Sequence, residues 1–181
     1  MTKEILRKEL LEKRKNLKNK AEKDVSILNA LINQNFYKNA KTVMVYISYN
    51  CEVDTRALIE KMLLDGKKLA APKCITKTEM EARAFFSFSE LNVGAYGILE
   101  PSGEVINDFD LIIVPGVGFN ERLNRIGYGA GYYDRFLKDH SAFTVGLFYE
   151  AQKCGFKESE FDHPLDFIIT EEKIYKRSNS K

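Results

Sequence analysis

Histidine is scarce in this chain, with two present among 181 residues. His140 is predicted at the end of a helix, where the helix dipole favours a cation, and His163 lies in a turn. We interpret both as structural. Without further histidines or paired thiols, the composition disfavours a structural zinc site and a Cys/His or Ser/His/Asp hydrolase.

Cysteine is scarce as well, and the three cysteines, Cys51, Cys74 and Cys154, are far apart. They form neither a CxxC pair nor a disulfide framework, which favours a reducing compartment. No apolar run reaches membrane-spanning length, and the N-terminus is charged where a signal peptide has its apolar region. These features predict a soluble cytoplasmic protein.

Charges of both signs are present without a large excess, since the net charge is +2. An imbalance this small gives no argument for a nucleic-acid partner. Charged residues make up 30% and hydrophobic residues 44% of the chain, which is typical of a globular protein. We expect one domain over residues 1–181, with a frayed polar tail at residues 177–181.

Stretches of periodic apolar residues alternate with turn residues along the chain. Helices are predicted at residues 2–18 and 22–34, between a capping Asp54 and Gly66, and over the sequence YYDRFLKDH that begins at Tyr132. Strands are predicted over six stretches: Thr42 to Tyr49, Lys68 to Lys73, Glu81 to Phe88, Phe109 to Val114, Phe143 to Phe148 and Phe167 to Thr170. This alternation predicts an α/β domain with a largely parallel sheet.

Several chemically useful residues follow the ends of these predicted strands. They are Glu52, Lys73, residues 116–134 and Glu150. Ligands of parallel sheets bind beyond the carboxyl ends of the strands. We therefore expect these residues to converge on one site.

The stretch from Pro115 to Leu137, PGVGFNERLNRIGYGAGYYDRFL, is the most informative part of the chain. A predicted strand, a glycine-rich turn and a predicted helix together present backbone N–H groups and a positive helix end to a phosphate. Arg125 and Arg135 supply counter-charges, and the Asp134 carboxylate suits Mg²⁺. The stretch predicts a nucleotide site that is neither a P-loop nor a dinucleotide fingerprint. The alternative is a flexible surface loop of glycine turns.

A second candidate phosphate contact lies in the N-terminal helix, where Lys3, Arg7 and Arg14 share a face. From the pattern alone, a solvated basic face is the favoured interpretation. The alternative is that Lys3 and Arg7 reach phosphates.

One motif is specific enough to indicate a family. Residues 127–134, GYGAGYYD, preceded by Asn124-Arg125, closely resemble the signature of the 5-formyltetrahydrofolate cyclo-ligase (methenyltetrahydrofolate synthetase) family. Further segments follow in the family's order: Lys3 to Arg7, Tyr46-Ile47-Ser48 to Glu52, Pro72-Lys73, and Leu165-Asp166 followed by Ile168-Ile169-Thr170. The resemblance implies a single α/β domain with a Rossmann-like fold of the NagB/RpiA/CoA-transferase type.

The resemblance also implies a reaction. The family closes the formamide of 5-formyltetrahydrofolate onto N10, giving 5,10-methenyltetrahydrofolate while MgATP is consumed and ADP and phosphate are released. A phosphorylated formyl group is the implied intermediate. No covalent nucleophile is needed, and Arg125 is expected to act electrostatically.

Site residues are carried over position by position. The ATP-binding residues implied by the resemblance are Lys3, Glu4, Ile5, Leu6, Arg7, Arg125, Ile126, Gly127, Tyr128, Gly129, Ala130, Gly131, Tyr132 and Tyr133. The implied folate-binding residues are Ile47, Glu52, Tyr128, Gly129, Ala130, Gly131 and Tyr132. The implied metal ligands are Asp134 and Asp166, with Asp162 as a nearby rival to Asp166.

Four residues of this set have more specific expectations. The Glu52 carboxylate would accept two N–H donors of the pterin at once. Successive residues of a helix face different directions, so one of Tyr132 and Tyr133 should stack on a ligand and the other should pack. The resemblance implies that Tyr132 is the one that stacks. Ala130 stands where the motif typically has glycine, so residues 129 and 131 should carry the unusual backbone angles.

Two other functions remain as alternatives. A sugar-phosphate isomerase on a similar sheet would need no Mg²⁺ site. A nucleic-acid-binding module would use the basic residues from Lys3 to Lys23, with steep salt dependence. We expect a monomer or weak homodimer acting on ATP and 5-formyltetrahydrofolate, polyglutamylated forms included, with no nucleic-acid or membrane partner.

Overall fold

The computed structural model describes residues 2–160 and 162–177. Most of the tail predicted to fray therefore lies outside the described residues. The described helices are α1 (Lys3–Lys15), α2 (Lys20–Ile32), α3 (Asn35–Asn39), α4 (Arg56–Leu64) and α5 (Tyr132–Asp139). The described strands are β1 (Thr42–Val45), β2 (Lys68–Cys74), β3 (Met80–Phe85), β4 (Leu91–Val93), β5 (Leu99–Pro101), β6 (Leu111–Val114), β7 (Gly118–Phe119), β8 (Arg125–Ile126), β9 (Phe143–Leu147), β10 (Phe167–Ile169) and β11 (Ile174–Lys176).

A seven-stranded sheet forms the centre of the fold, in the order β11-β10-β9-β6-β1-β2-β3. The five inner strands pair in parallel, and the two edge strands are antiparallel to their neighbours. Every residue of β6 is buried, as expected for a central parallel strand covered on both faces. The prediction of a largely parallel sheet in an α/β domain is confirmed.

Helices cover both faces of the sheet. Val43 and Val45 of β1 belong to a cluster with residues of α2, α3 and α4. Met44, between them, belongs to the opposite cluster, which includes Phe136 and Leu137 of α5. This alternation follows from the period of a strand, whose successive side chains point to opposite faces.

The first strand is shorter than predicted, because the chain leaves the sheet after Val45. The Thr55 hydroxyl donates to the Tyr46 carbonyl at 2.8 Å, and the Ser48 N–H donates to the Thr55 hydroxyl oxygen at 3.0 Å. These local hydrogen bonds replace a strand ladder. They also bring residues 46–52 back across the carboxyl edge of the sheet.

Several short elements were not predicted from the sequence, namely α3, β11 and the hairpins β4–β5 and β7–β8. The β7–β8 hairpin lies between β6 and α5, within the glycine-rich stretch. Leu6 and Leu10 of α1 pack against Val117 and Ile126 of this hairpin in a small separate cluster. The N-terminal helix is thereby held beside the glycine-rich stretch. None of the described helices is long and apolar enough to span a membrane.

Candidate active site at the glycine-rich stretch

The glycine segment, residues 127–131, connects β8 to α5. Gly129 has φ +111° and Gly131 has φ +71°, whereas Ala130 has no positive φ. Positive φ values strongly disfavour residues with a Cβ atom. The expectation that residues 129 and 131 carry the unusual angles, and that alanine is tolerated between them, is confirmed.

Two of the three expected phosphate-binding cations, Arg7 and Arg125, lie near this segment on different elements. The Arg7 Nε of α1 donates to the Gly127 carbonyl at 2.8 Å. Arg125 is buried at the start of β8, with 3% of its side chain exposed, and lies 2.9 Å from the Asp134 carboxylate. Burial lowers the pKa of the Arg125 guanidinium, and the paired Asp134 opposes this change. The cationic end of the site therefore combines α1 with the glycine-rich stretch.

Lys3, the third expected cation, forms an ion pair with Asp162 at 2.5 Å. Arg125 Nη1 donates to the carbonyl of His163, the residue after Asp162, at 3.4 Å, so the two ion pairs lie near each other. Of the other expected contacts in α1, Glu4 and Ile5 are exposed, and Leu6 is buried against the hairpin.

Asp166 is not brought to this group of charges. It precedes β10, and its carboxylate accepts hydrogen bonds from the Thr144 N–H and hydroxyl, both at 2.9 Å. Because β6, β9 and β10 are parallel, the start of β10 lies at the edge opposite the carboxyl end of β6. In this geometry Asp162, rather than Asp166, pairs with a cation of the site, and the identity of the second metal ligand stays a prediction. Among described residues, no three His, Cys, Asp or Glu side chains form a metal-binding cluster.

Glu52 is buried beside the glycine segment, with 9% of the residue exposed. One of its carboxylate oxygens accepts the Tyr128 hydroxyl at 2.6 Å, and the other accepts the Tyr49 N–H at 2.8 Å. Burial raises the pKa of Glu52, while these hydrogen bonds and the charge of Arg14 lower it. Glu52 and the glycine segment are therefore brought together, as predicted.

The aromatic residues after the segment differ in their surroundings. The Tyr132 hydroxyl donates to the Thr76 carbonyl at 2.9 Å. Tyr133 packs against the α5-side core, and its hydroxyl oxygen is buried with no hydrogen-bond partner among the described residues. Ile47, an expected folate-binding residue, is buried in the core cluster that includes residues of α2 and α4.

The sequence and the fold were compared with those of known proteins. The sequence model of the 5-formyltetrahydrofolate cyclo-ligase family matches residues 1–171. The chain belongs to this family. It is 32% identical to the 5-formyltetrahydrofolate cyclo-ligase of Mycoplasma pneumoniae, over 95% of this chain and 100% of that protein. It is 30% identical to the Escherichia coli K12 enzyme of the same name, over 75% of this chain and 81% of that one.

Solved structures show the same fold. The NMR structure of Aquifex aeolicus 5,10-methenyltetrahydrofolate synthetase superimposes with a TM-score of 0.88 at 34% identity, covering 100% of this chain and 95% of that one. A 5,10-methenyltetrahydrofolate synthetase from Mycoplasma pneumoniae superimposes with a TM-score of 0.80 at 28% identity, covering 94% and 99%. The chain is thus an enzyme of the cyclo-ligase family, and the resemblance drawn from GYGAGYYD is confirmed.

Two residues that lie beside the expected site residues were not predicted from the sequence. Arg14 was interpreted as part of a solvated face, but it is buried and bonded to Tyr128. Tyr96, in the turn between β4 and β5, has φ +60°, and it raises the pKa of the Tyr132 hydroxyl. The sequence around Tyr96 carries no strong pattern that predicts this neighbour.

The remaining candidates at strand ends have other partners. Glu150 follows β9 and accepts the hydroxyls of Thr170 at 2.8 Å and Tyr175 at 2.5 Å. Lys73 lies within β2 rather than after it. His140 stacks on Phe136 at 3.8 Å between ring centroids, in agreement with its structural interpretation.

Proposed function

We propose that this protein converts 5-formyltetrahydrofolate to 5,10-methenyltetrahydrofolate, with ATP converted to ADP and phosphate. One observation carries the proposal. The glycine segment contacts the Arg7 guanidinium through Gly127 and the buried Glu52 carboxylate through the Tyr128 hydroxyl, and Arg125, paired with Asp134, lies just before the segment in the chain. A triphosphate needs the cations, and a pterin needs the carboxylate. The two substrates would therefore meet at this segment.

The chemistry requires activation of a poor electrophile, because the formamide nitrogen donates into its carbonyl. In the first step, the formyl oxygen bonds to the γ-phosphorus and the bond from that phosphorus to ADP breaks. In the second step, N10 bonds to the formyl carbon, the bond from carbon to the phosphorylated oxygen breaks, and N10 loses its proton. Phosphate leaves with the original formyl oxygen. Such phosphoryl transfer depends mainly on positioning and on charge neutralisation.

The cationic side of the site supports this role. Arg125 is buried and hydrogen-bonded to Asp134, so its fork is held in one orientation before any phosphate binds. Arg7 and Lys3 extend the positive potential along α1. Backbone N–H groups of the glycine segment and the N-terminus of α5 would add further donors to the phosphates.

A magnesium ion fits the donor atoms available here. Asp134 and Asp162 are carboxylates paired with Arg125 and Lys3, and Mg²⁺ takes one or two carboxylates and completes its shell with phosphate and water. When bound, the ion would neutralise charge that develops on the phosphoryl oxygens. Asp134 and Asp162 would hold it, in preference to Asp166.

The folate side rests on Glu52 and its neighbours. Each carboxylate oxygen already accepts one hydrogen bond, which leaves further lone pairs for the N–H donors of a pterin. Tyr128 is 52% exposed as a residue although its hydroxyl points inwards, so its ring is available for stacking. Tyr132 would flank the ligand. The proposal includes a cytoplasmic location, which the three free cysteines of the described chain support.

The decisive experiment mixes the protein with ATP, Mg²⁺ and 5-formyltetrahydrofolate and follows the absorbance of the methenyl product. We expect product only in the complete mixture, together with one ADP formed per product molecule. Omission of ATP, and addition of excess chelator, are the matched controls. Absence of product in the complete mixture from a folded, monodisperse sample would overturn the proposal.

A further inference from the structure

Arg14, in the last turn of α1, is an unusual residue because it is charged and almost fully buried. Only 2% of it is exposed. Buried arginines are normally paired with a carboxylate. Among the described ion pairs none includes Arg14, so its charge is balanced in another way.

The guanidinium instead joins three parts of the site. Nη1 donates to the Gly116 carbonyl at 3.0 Å, just beyond β6, and Nη2 donates to the Tyr128 hydroxyl at 2.6 Å in the glycine segment. Nε lies 3.4 Å from the Cys51 sulfur, in the loop that carries Glu52. The fork is thus fixed by two groups, Gly116 and Tyr128, that lie 12 positions apart within the stretch from Pro115 to Leu137.

These bonds determine from which group the Tyr128 hydroxyl accepts a hydrogen bond and to which group it donates one. A guanidinium has only donors, so the Tyr128 oxygen must accept from Arg14. Its own proton is then free to be donated to Glu52, whose ionised carboxylate only accepts. The hydrogen bonds thus run from Arg14 through Tyr128 to Glu52. The opposite donor–acceptor order is chemically excluded while Glu52 is ionised, because neither Arg14 can accept nor Glu52 donate. The negative charge that balances Arg14 is therefore one hydroxyl away.

We propose that Arg14 is a positioning residue for the folate side of the site, which holds the Tyr128 hydroxyl and, through it, the Glu52 carboxylate in the orientation that receives the pterin. The inference rests on the proposed function, because it assigns Glu52 to the folate. Arg14 itself touches neither substrate. Replacement of Arg14 should therefore affect the binding of folate more than the binding of ATP. Arg7, on the same helix, bonds the Gly127 carbonyl on the nucleotide side of the site and does not depend on Arg14.

Arg14→Lys tests this idea, because lysine keeps a positive charge but lacks the fork that bonds Gly116 and Tyr128 together. We expect the KM for 5-formyltetrahydrofolate to rise roughly tenfold or more, as for loss of a charge-assisted hydrogen bond, and the KM for ATP to stay within about twofold. Lys15→Ala, one residue along on the exposed side of α1, is the matched control and should leave both values unchanged. Equal increases for both substrates would overturn the proposal.

A double-mutant cycle separates positioning from general support of the fold. Tyr128→Phe removes the link while leaving Arg14 bonded to Gly116. If Arg14 acts through Tyr128, adding Arg14→Lys to Tyr128→Phe should raise the folate KM by less than about twofold, because coupled residues are not additive. Independent, multiplying effects would refute the proposal. If Arg14→Lys fails to fold, Tyr128→Phe alone tests the proposal. It should raise the KM for 5-formyltetrahydrofolate but not the KM for ATP, and an unchanged KM for 5-formyltetrahydrofolate would refute the proposal.

The two proposals fail in different ways. A wild-type protein without turnover contradicts the cyclo-ligase reaction. A wild-type protein with full turnover whose Arg14 and Tyr128 variants lose ATP and folate affinity alike retains the reaction but contradicts the positioning role. Equilibrium binding of 5-formyltetrahydrofolate without ATP gives a third readout, in which Arg14→Lys should weaken binding to the same extent as its folate KM.

Discussion

Substitutions along the glycine segment test whether its backbone contacts the nucleotide. Gly129→Ala places a Cβ atom at φ +111°, which costs roughly 1–3 kcal/mol of stability. The methyl group itself would lie 3.6 Å from the Arg7 guanidinium carbon, an ordinary contact, so the cost comes from the backbone. For a chain of this size, each kcal/mol lowers Tm by about 2–4 °C.

Gly127→Ala is the informative counterpart, because residue 127 has no positive φ and its added Cβ would meet nothing within 4 Å. The protein alone should accept this methyl group, with a stability gain of about 0.4–1 kcal/mol from the less flexible unfolded chain. If ATP binds against the segment, the same methyl group should raise the KM for ATP. A loss of activity without a loss of stability would then report contact with the nucleotide.

Ala130→Gly is the matched control, since it should change stability by roughly 0.5–1 kcal/mol and activity only a few-fold. Thermal unfolding and the KM for ATP should be measured for all four single variants, with Gly131→Ala expected to behave like Gly129→Ala. Equal effects at positions 129, 130 and 131 would refute the reasoning. The nucleotide would then be held mainly by Lys3, Arg7 and Arg125.

The remaining predictions concern the acidic residues. Product should form only with ATP and a divalent metal, and formation of the same amount of product in excess chelator would refute the assignment of a metal to the site. Asp134→Asn should lose most turnover and, because it leaves the buried Arg125 less well paired, about 1–3 kcal/mol of stability; full activity would contradict its role. Asp162→Asn should also lose turnover, whereas Asp166→Asn should keep turnover and lose stability, and the reverse pattern would restore Asp166 as the metal ligand. Glu52→Gln should weaken folate binding roughly ten- to hundredfold with little change for ATP, and equal losses would mean that Glu52 only shapes the site.

Glu52 also predicts how stability depends on pH. Burial raises the pKa of Glu52 above its ordinary value of 4.5, so the folded state binds this proton more readily than the unfolded state. The free energy of unfolding of the wild type, relative to Glu52→Gln, should therefore be largest below pH 4.5. It should fall as pH rises through the raised pKa of the folded protein. Denaturant unfolding of both proteins across this range checks the sign, and a difference that grows with pH would contradict it.

Local sequence determined the parts of the fold and site that depend on neighbouring residues. The all-apolar run Leu111 to Val114 requires a strand covered on both faces, and it became the buried β6. The positions of Gly129, Ala130 and Gly131 determined which residues have positive φ, because only the residue's own Cβ is involved. The motif GYGAGYYD was long enough to indicate the family by itself.

Tertiary structure decided what lies opposite each residue. The periodicity of a helix shows that one face is covered, but not which residues cover it. The pattern of α1 therefore predicts an exposed Arg14, whereas in the structure Gly116 and Tyr128 bind its guanidinium. Asp162 likewise pairs with Lys3 of α1, whereas Asp166 binds Thr144 at the start of β9, and the spacing of the two residues in the chain does not reveal this difference. The burial, hydrogen-bond partners and charge state of a side chain depend on residues that are distant in the sequence. Only the folded chain therefore determines them.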